Sequence, residues 1–395
     1  MKIVCVGGGP AGLFFALLMK QANVAHDITV VERNPAGITQ GWGVVFWDDL
    51  LESMRESDPE TTREIAAAAY QWHGVEVNVQ GRAAVAPEAT GYSISRQKLI
   101  SLLSARAQAR GIQVLFGQEL DSSERQADVD LVVAGDGVGS RFRTENADEL
   151  GTELELGGNK FVWLGATKVF ESFTFAFVES PAGWLWCHAY GYDQDRSTFI
   201  VECSPDTWRG LGFDQLDLGA SLALLQQLFA AQLEGHQLMA QPRAGDTMPW
   251  QNFATVRNRR WHLHNVALLG DAAHTTHFSI GSGTKLALED AMELAGALTR
   301  HADVPTALSE YESHRRQALR PAQQNARYSA RWFENVPRYA QLDVEQFADL
   351  MDRRRSTALA HLPPSVYLRL RRIADDNRVL RRQWERLRSR ARPVG

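Results

Sequence analysis

The sequence predicts an α/β fold in which a parallel sheet with helices is interrupted by an antiparallel-sheet domain and followed by a C-terminal helical segment. Three observations support this: a strand, glycine turn, helix and strand open the chain, wholly apolar strands recur later, and an aromatic-rich stretch separates them. The chain has 395 residues, 44% hydrophobic and 23% charged. This length favours two or three domains, and the composition excludes a disordered or fibrous chain.

Apolar runs and helical spacing locate the elements of the parallel sheet. A strand at 2–6, a helix at 11–21 and a strand at 28–32 form a βαβ unit. The strands at 131–135 and 266–270 are wholly apolar, as in a parallel sheet covered on both faces. The other predicted elements are a helix at 96–110, a strand at 112–116 and a helix at 286–298.

The aromatic-rich stretch, residues 160–203, consists of short runs broken by turn residues, which predicts an antiparallel sheet with aromatic faces. The parallel-sheet domain is therefore expected to be discontinuous. Its segments are 1–75, 92–158 and 255–325. The antiparallel domain takes 76–91 and 159–254, and the C-terminal helical region takes 326–395.

A glycine-rich turn between the first strand and the first helix is the strongest chemical signal. Gly7, Gly9 and Gly12 fill the pattern G-x-G-x-x-G, which permits a tight turn, close approach of a pyrophosphate, and close packing of helix on strand. Pro10 and Ala11 open the helix, whose first N–H groups favour a phosphate. The turn predicts a Rossmann-like dinucleotide site.

A carboxylate completes this fingerprint. Glu32 ends the second strand, where it can accept both ribose hydroxyls of an adenosine, and Arg33 follows it. No second G-x-G-x-x-G pattern occurs, so a nicotinamide nucleotide would lack a Rossmann domain of its own.

Two later strand ends carry an aspartate beside a glycine. Asp136 follows the strand at 131–135, and Asp271 follows the strand at 266–270. A further motif, Gly281-Ser282-Gly283-Thr284-Lys285, precedes a helix. In order and over most of the chain, these motifs resemble those of single-component FAD-dependent aromatic hydroxylases of the para-hydroxybenzoate hydroxylase class.

The resemblance implies that the motifs converge on FAD. Asp271 would bind a ribityl hydroxyl, Asp136 would lie near the pyrophosphate, and Arg96 would lie beside the phosphates. The helix that begins near Gly281 would direct N–H groups at the pyrimidine edge of the isoalloxazine. The predicted FAD-binding residues are Gly7, Gly9, Pro10, Ala11, Gly12, Glu32, Arg33, Trp42, Gly43, Val44, Arg96, Asp136, Asp271, Gly281, Gly283, Thr284 and Lys285.

Shorter segments carry a narrower resemblance. Residues 40–46 and 277–287 are similar to the salicylyl-CoA 5-hydroxylase group and its relatives that act on 2-aminobenzoyl-CoA. Residues 159–163, 188–190 and 197–203 also resemble the tryptophan 5-hydroxylase of violacein biosynthesis.

The resemblance implies a monooxygenase that hydroxylates an electron-rich aromatic ring. FAD would be reduced by NADH or NADPH, would react with O2 to a C4a-hydroperoxide, and would pass one oxygen atom to the ring. The leading substrate is an aromatic acyl-CoA thioester such as salicylyl-CoA, hydroxylated at position 5. The alternatives are tryptophan, another indole or a free aromatic acid, and, more distantly, an FAD-binding protein that does not activate oxygen.

A base within reach of a phenol would assist this reaction, and His277, His188 and Tyr190 are the candidates. His277 is the predicted catalytic residue, with a histidine that only holds its own loop as the alternative. This chain departs from the broader class at two places: it has His277-Phe278 where a proline is usual, and Lys285 where an asparagine is usual. The predicted substrate contacts are Trp163, His188, Tyr190 and Phe278.

Charge is unevenly distributed along the chain. The net charge is -5, but residues 351–395 contain thirteen arginines against four acidic residues. Arginines in this tail, or Arg257, Arg259 and Arg260, could contact the phosphates of a CoA ester, or they could be solvated surface. One helical face of the tail is apolar, which predicts docking on the body or on a second subunit, the second alternative giving a homodimer. Its residues are Val366, Leu370, Ile373, Leu380, Trp384 and Leu387.

Several classes of protein are disfavoured. Cys5, Cys187 and Cys203 are far apart and form no C-x-x-C pair, so we expect no disulfide, zinc cluster or other metal site. The acidic body and the absence of a known motif disfavour nucleic-acid binding. The sequence shows no signal peptide or membrane span, and a cytoplasmic location is the expectation.

Overall fold

A computed structural model describes residues 1–120, 129–241, 246–354, 359, 362–375 and 380. The strands are β1 (Lys2–Val6), β2 (Asp27–Glu32), β3 (Gly43–Phe46), β4 (Tyr70–Val79), β5 (Arg82–Ser95), β6 (Gln113–Phe116), β7 (Leu131–Ala134), β8 (Thr152–Ala166), β9 (Phe173–Ser180), β10 (Gly183–Gly191), β11 (Ser197–Cys203), β12 (Leu238–Met239), β13 (Gln251–Asn258), β14 (His262–Leu263) and β15 (Val266–Leu268). The helices are α1 (Pro10–Ala22), α2 (Asp48–Ser57), α3 (Pro59–Ala68), α4 (Arg96–Ala109), α5 (Arg141–Glu145), α6 (Ala147–Leu150), α7 (Pro205–Gly210), α8 (Leu218–Leu228), α9 (Ala230–Leu233), α10 (Gly283–Arg300), α11 (Val304–Glu334), α12 (Val344–Arg353) and α13 (Pro364–Asp375). Short 3-10 turns occupy Gly270–Ala272, Phe278–Ile280 and Val336–Arg338.

The first sheet is the predicted parallel one. Its strand order is β14-β15-β7-β1-β2-β6, and only the edge pair of β14 with β15 is antiparallel. Val6 and Leu268 both pair with Ala134, so β1, β7 and β15 end side by side. The loops that follow these three strands therefore meet at the carboxyl edge, where open α/β sheets bind ligands.

The second sheet has nine strands in the order β12-β8-β11-β10-β9-β4-β5-β3, with β13 paired to β8. Its pairs are antiparallel except for β4 with β9. The predicted fold class is confirmed: a parallel sheet, an interrupting antiparallel sheet and C-terminal helices. The second sheet includes β3 and all of β4, so it begins earlier in the chain than the segment 76–91 expected for it.

Alternation along each strand gives the second sheet two different faces. On β10, Leu185, Cys187 and Ala189 pack in an aliphatic core with α8. Trp186 and Tyr190 point the other way, into an aromatic cluster that includes residues of α11 and α12. This aromatic face is the one closer to the parallel-sheet domain, because Phe278 contacts it.

Helix α11 contacts both sheets. It has 31 residues and spans about 46 Å. Near its start, the Tyr311 hydroxyl donates to the Leu268 carbonyl of β15 at 2.9 Å. Near its end, Phe333 stacks on Trp186 of β10 with ring centroids 6.0 Å apart. Pro321 lies inside the helix on its exposed side without ending it.

The tail corrects one prediction. Val366, Leu370 and Ile373 of α13 are 42%, 41% and 49% exposed, so docking of this apolar face on the body is wrong for the described residues. A neighbouring face of the helix carries the buried Tyr367 and Ala374 instead. Trp384 and Leu387 lie outside the described residues. Within the described part of the chain, no helix has both the length and the apolar content needed to cross a membrane.

Candidate active site

The three predicted motifs meet at the carboxyl edge of the parallel sheet. Gly135 donates its N–H to Val6 O at 2.8 Å, and Leu269 donates its N–H to Ala134 O at 3.0 Å. The turn that starts at Gly7 therefore lies directly beside the two aspartate-bearing strand ends.

Two glycines of the first turn are required by backbone packing, and the third is not. Gly7 has φ +102°, and a Cβ there would collide with the Gly135 carbonyl oxygen. A Cβ on Gly12 would lie 2.5 Å from the Gly7 carbonyl oxygen. Gly9 has no atom within 4 Å of a Cβ position, and it caps α1 without a side-chain hydrogen bond, Pro10 being the first helical residue. The first N–H groups of α1 are thus available to a phosphate.

Glu32 is held beside this turn. Its Oε2 accepts from the Gly8 N–H at 2.8 Å, and its Oε1 accepts from the Asn34 N–H and Nδ2 at 2.8 and 2.6 Å. A carboxylate has further lone pairs that two ribose hydroxyls could use. Arg33 is exposed.

Arg96 interacts electrostatically with the acidic residues of two motifs. Burial lowers the pKa of its guanidinium, while Asp271 and then Glu32 oppose that lowering. Asp271 is exposed at the surface of the cleft, but protein atoms are packed densely around its carboxyl group. The resulting desolvation raises the pKa of this carboxyl, and the attraction of Arg96 opposes that rise. The Arg96 N–H donates to Trp42 O at 2.8 Å, and its Nε donates to Thr39 Oγ1 at 3.3 Å.

Asp136 has one unsatisfied oxygen. Its Oδ2 accepts from the Arg141 N–H at 2.9 Å, whereas its Oδ1 is buried without a hydrogen-bond partner among the described residues. Burying a carboxylate oxygen without a donor is costly, so this oxygen indicates a ligand that donates a hydrogen bond. Arg143 Nη1 donates to Ala272 O at 3.3 Å and thereby joins the helix that follows Asp136 to the turn that carries Asp271.

The start of α10 completes the cleft. Gly281 has φ +66°, and Ser282 caps the helix without a side-chain hydrogen bond. Gly283 has no atom within 4 Å of a Cβ position, and Thr284 is the next helical residue. This 18-residue helix therefore presents free N–H groups at its positive end.

A buried charge cluster next to the turn that carries Asp271 was missed by the sequence analysis. Asp290 Oδ2 accepts from the Gly270 N–H at 3.1 Å and lies 2.8 Å from His274 Nε2, while its Oδ1 accepts from Arg315 Nε at 2.7 Å. Burial raises the pKa of Asp290, but His274 and Arg315 outweigh it and keep the pKa low. Asp290 thus holds the turn that carries Asp271.

The residues fit FAD. Two long helices begin uncapped at one cleft, Gly9 leaves room on its Cβ side, and Asp136 offers an unpartnered oxygen. Ala11 lies beside Gly270 at this cleft, because a Cβ atom built on Gly270 would be 3.7 Å from the Cβ atom of Ala11. The individual FAD contacts remain predictions.

Replacing the two acids of the cleft should separate their contributions. We expect Asp271→Ala to raise the dissociation constant of FAD about a hundredfold and Glu32→Ala about tenfold, because each loses charge-assisted hydrogen bonds. Quenching of flavin fluorescence by the protein measures both values. Glu149→Ala, at an exposed site on α6, is the control. Wild-type affinity in both cleft variants would contradict this placement of the cofactor.

Trp42 and Lys285 lie at the edges of this cleft. Trp42 Nε1 donates to Trp163 O at 3.3 Å, which joins the segment before β3 to β8. Lys285 Nζ lies 2.5 Å from Asp49 Oδ2 and 3.4 Å from Glu289 Oε1. Its ammonium is therefore already neutralised by two carboxylates.

Gly43, Val44 and Tyr190 join the cleft to the second sheet. The Gly43 N–H donates to Thr198 Oγ1 at 2.9 Å, and its carbonyl accepts from the Tyr190 hydroxyl at 2.9 Å. Burial raises the pKa of Tyr190. Because its hydroxyl is used to hold β3, where Val44 follows Gly43, Tyr190 is poorly placed to act as a base.

A cavity of about 120 Å³ opens between the aromatic face of the second sheet, the loop before Phe278 and helix α11. Its inner residues are buried or partly buried, and its outer residues are charged. The lining residues are Glu155, Gly157, Asn159, Phe161, Glu202, Phe253, Thr255, Arg257, Thr275, Thr276, His277, Gln323, Ala326, Arg327, Ala330, Arg331 and Glu334.

Glu202 is the carboxylate at the floor of this cavity and is 1% exposed. Its Oε1 accepts from Asn159 Nδ2 at 2.7 Å, and its Oε2 accepts from Trp186 Nε1 at 2.9 Å. His188 Nε2 lies 3.5 Å from Oε2. Burial raises the pKa of Glu202, but His188, His277 and these hydrogen bonds outweigh it, so the carboxylate stays ionised.

His277 faces the same cavity. Its Nδ1 hydrogen-bonds Ser279 Oγ at 2.8 Å, Ser279 Oγ contacts Ser329 Oγ at 2.7 Å, and Ser329 accepts from Arg354 Nε at 3.0 Å. Burial lowers the pKa of His277 from 6.5 to about 4, against the attraction of Glu202. The imidazole is therefore neutral near pH 7, and its Nε2 has no hydrogen-bond partner among the described residues.

Aromatic rings surround these polar groups. Phe278 lies 4.8 Å from Phe161 and 5.3 Å from the His188 ring, between ring centroids. His188 is 2% exposed and also contacts Phe333 at 4.9 Å. Trp163 lies next to Phe161 on β8 with one residue between them, so both point to this face. None of the four predicted substrate contacts, Trp163, His188, Tyr190 and Phe278, is among the residues that line the cavity, so these contacts stay predictions.

The burial of His277 predicts a pH-dependent stability. Between pH 6.5 and pH 4, the unfolded state binds a proton on His277 that the folded state does not, so the free energy of unfolding falls as the pH falls. The full loss is about 3 kcal/mol at pH 4. Urea midpoints across this range should fall less steeply in His277→Asn than in the wild type, and the exposed His264→Asn should keep the wild-type slope. Parallel curves for all three proteins would show that His277 does not titrate this way.

Glu202 was missed, although the sequence contained a signal for it. Phe199-Ile200-Val201-Glu202-Cys203 is an apolar strand with one charge, and alternation places Glu202 on the same face as Thr198 and Ile200. A charge in such a run must be paired with another charge or serve in binding or catalysis.

Three arginines were named as candidates for the phosphates of a CoA ester. Of Arg257, Arg259 and Arg260, only Arg257 lines the cavity.

Comparison with known proteins agrees with this architecture. Residues 1–326 match the family described as "FAD binding domain". The chain is 40% identical over 348 residues to a salicyloyl-CoA 5-hydroxylase from Streptomyces sp. The aligned region covers 86% of this chain and 66% of that protein. It is 36% identical over 337 residues to a 3-hydroxy-4-methyl-anthranilyl-[aryl-carrier protein] 5-monooxygenase from Streptosporangium sibiricum, covering 85% and 90% of the two chains.

A third relative comes from the violacein pathway. The chain is 31% identical over 376 residues to a protodeoxyviolaceinate monooxygenase from Chromobacterium violaceum, covering 92% and 96% of the two chains. The resemblance inferred from the motifs is therefore confirmed. This chain belongs to the FAD binding domain family, among the flavin-dependent aromatic monooxygenases.

Proposed function

We propose that this protein hydroxylates the ring of an aromatic acyl thioester that carries a hydroxyl or amino group, with 5-hydroxylation of salicyloyl-CoA as the leading candidate. The observation that carries the proposal is the aromatic cavity, whose wall includes Thr275, Thr276 and His277 of the loop between Asp271 and α10, with Glu202 and His277 at its inner end. Two relatives named for thioester substrates support the choice, one for a CoA ester and one for an ester of an aryl-carrier protein.

The cavity can hold a ring and remove its phenolic proton. Bound FAD would supply reductive activation of O2 and the oxygen atom that reaches the ring. Phe161 and Phe253, which Phe278 packs against, would contact the ring and keep water away from it. His277, neutral at pH 7, would accept the phenolic proton on Nε2, which makes the ring carbon para to the oxygen more nucleophilic.

Glu202 would support this proton transfer. As an ionised carboxylate close to His277, it stabilises the imidazolium that forms when the proton arrives. Asn159 and Trp186 hold its two oxygens, so it stays in position while the charge on His277 changes. His277 Nε2 accepts this proton in the tautomer whose Nδ1–H donates to Ser279 Oγ at 2.8 Å; in the other tautomer Nδ1 accepts from the Ser279 N–H at 3.4 Å, and Nε2–H would instead donate to the phenolate oxygen.

The charge of Glu202 also bears on the choice of substrate. A free aromatic acid or amino acid would bring a second carboxylate close to Glu202, and like charges at short range repel. A thioester carbonyl next to the ring is neutral. The charge at the cavity floor thus favours the thioester over tryptophan or a free acid.

The test compares substrates on the FAD-loaded enzyme. Salicyloyl-CoA, 2-aminobenzoyl-CoA, salicylate and tryptophan are supplied separately with NADH or NADPH, and both coenzyme oxidation and product mass are measured. We expect the thioesters to accelerate coenzyme oxidation and to gain one oxygen atom. Hydroxylation of salicylate or tryptophan alone would overturn the thioester assignment, and bound FAD without any hydroxylated product would favour the non-oxygenating alternative.

A further inference from the structure

The charges along the cavity are ordered from its inner to its outer end. Glu202 and His277 are buried at the inner end. Arg327 and Arg331 lie at the outer end and are exposed, with Arg257 partly exposed beside them, so that three cations there face the two exposed carboxylates of Glu155 and Glu334. A ligand that follows this order carries a neutral hydrogen-bond donor inside and a negative charge outside.

The cavity lining extends beyond the space that a ring would occupy. On β8 it runs from Phe161 near the floor to Glu155, opposite Gln251 to Thr255 of β13, which is four residues and roughly 13 Å of strand. Gly157 on this wall, and Ala326 and Ala330 on α11, have small side chains, so the walls leave room between them. A ring with a carboxylate attached would fill only the inner part of such a cleft.

The outer arginines are available to a ligand. Arg257 Nη2 is paired with Glu155 Oε2 at 3.4 Å. Arg327 and Arg331, one helical turn apart, have no side-chain hydrogen bond or ion pair with the described residues. The carboxylate of Glu334 next to them accepts the Gly158 N–H at 3.0 Å and is thereby directed at β8.

We infer that Arg327 and Arg331, assisted by Arg257, bind the phosphate end of a phosphopantetheine thioester whose aromatic ring lies at His277 and Glu202. The inference rests on the proposed function and assigns it a recognition site for the handle of the substrate. Guanidinium groups bind phosphate oxygens in bidentate fashion, and the pantetheine arm separates the phosphate from the ring, as the two ends of the cleft are separated.

The experiment uses three salicyloyl thioesters with the FAD-loaded enzyme: the CoA ester, the 4′-phosphopantetheine ester and the pantetheine ester, which has no phosphate. For the wild type, the KM should be at least tenfold lower for the two phosphate-bearing esters than for the pantetheine ester. In Arg327→Ala/Arg331→Ala, the KM for the phosphate-bearing esters should rise about a hundredfold, far more than for the pantetheine ester. A larger effect on the CoA ester identifies its diphosphate as the bound group, and equal effects identify the single phosphate shared with carrier proteins.

Arg320→Ala is the matched control, because Arg320 is an exposed arginine of the same helix that does not line the cavity. FAD content and the circular dichroism spectrum show that each variant is folded. Equal KM values for the three wild-type esters, or equal losses in the double variant and in Arg320→Ala, would overturn the phosphate site while the thioester function stands. Absence of hydroxylation with all three esters would instead refute the proposed function.

Discussion

Gly9→Ala should fold with nearly wild-type stability and lose about a hundredfold in affinity for FAD. Its backbone is extended at φ -72°, and no atom lies within 4 Å of its Cβ position, so a methyl group fits without a clash and costs at most about 1 kcal/mol through the poorer N-cap. The same methyl group would stand where a pyrophosphate must approach the start of α1. Thermal unfolding without FAD and fluorescence titration with FAD measure the two quantities.

Gly7→Ala is the informative comparison. Gly7 has φ +102° and a carbonyl oxygen of Gly135 in the way of a Cβ, so this variant should be less stable by about 3 kcal/mol even without FAD. A stable Gly9→Ala protein that still binds FAD tightly would show that the pyrophosphate does not lie on this turn.

His277→Asn should lower kcat by about a hundredfold to a thousandfold on a salicyloyl thioester at pH 7 to 8, because the general base is lost. Glu202→Gln should cost about tenfold, since the imidazolium loses its neighbouring charge but Asn159 and Trp186 can still hold the side chain. Both values are obtained from product formation, with coenzyme oxidation followed in parallel.

A fluorinated salicyloyl thioester, whose phenol ionises more readily, supplies the control for this prediction. If His277 removes the phenolic proton, the loss in His277→Asn should shrink with this substrate. An equal loss with both substrates would assign His277 to holding the loop through Ser279 rather than to proton transfer.

Local pattern was sufficient for the parallel sheet. The strand, glycine turn, helix and strand from Lys2 to Glu32 were predicted to within one or two residues at each end, because apolar periodicity and turn glycines act over short distances. The meeting of Gly7, Asp136 and Asp271 was implied by the resemblance to FAD-dependent hydroxylases, and it agrees with the rule that parallel strands end at the same edge.

The aromatic cavity could not be predicted in this way. Glu202, His277 and Arg327 come from a strand, a loop and a helix that contact one another only after the two domains and α11 are assembled. The role of Tyr190 was also out of reach, since nothing local shows that its hydroxyl is used by Gly43. The exposure of the Val366 face depends on which side of α13 packs, and Tyr367 lies on the buried side.

Helix α11 imposes a constraint on how this protein can diverge. In the first half of the helix, Arg315 holds the turn that carries Asp271 through its hydrogen bond to Asp290. In the second half, Ser329 hydrogen-bonds Ser279 in the His277 loop, and Arg331 lines the outer end of the cavity. Inserting or deleting one residue between them would rotate everything beyond by about 100°, taking these side chains out of phase. Changes in substrate range along this helix should therefore arise by exchange of side chains at constant length, not by insertions or deletions.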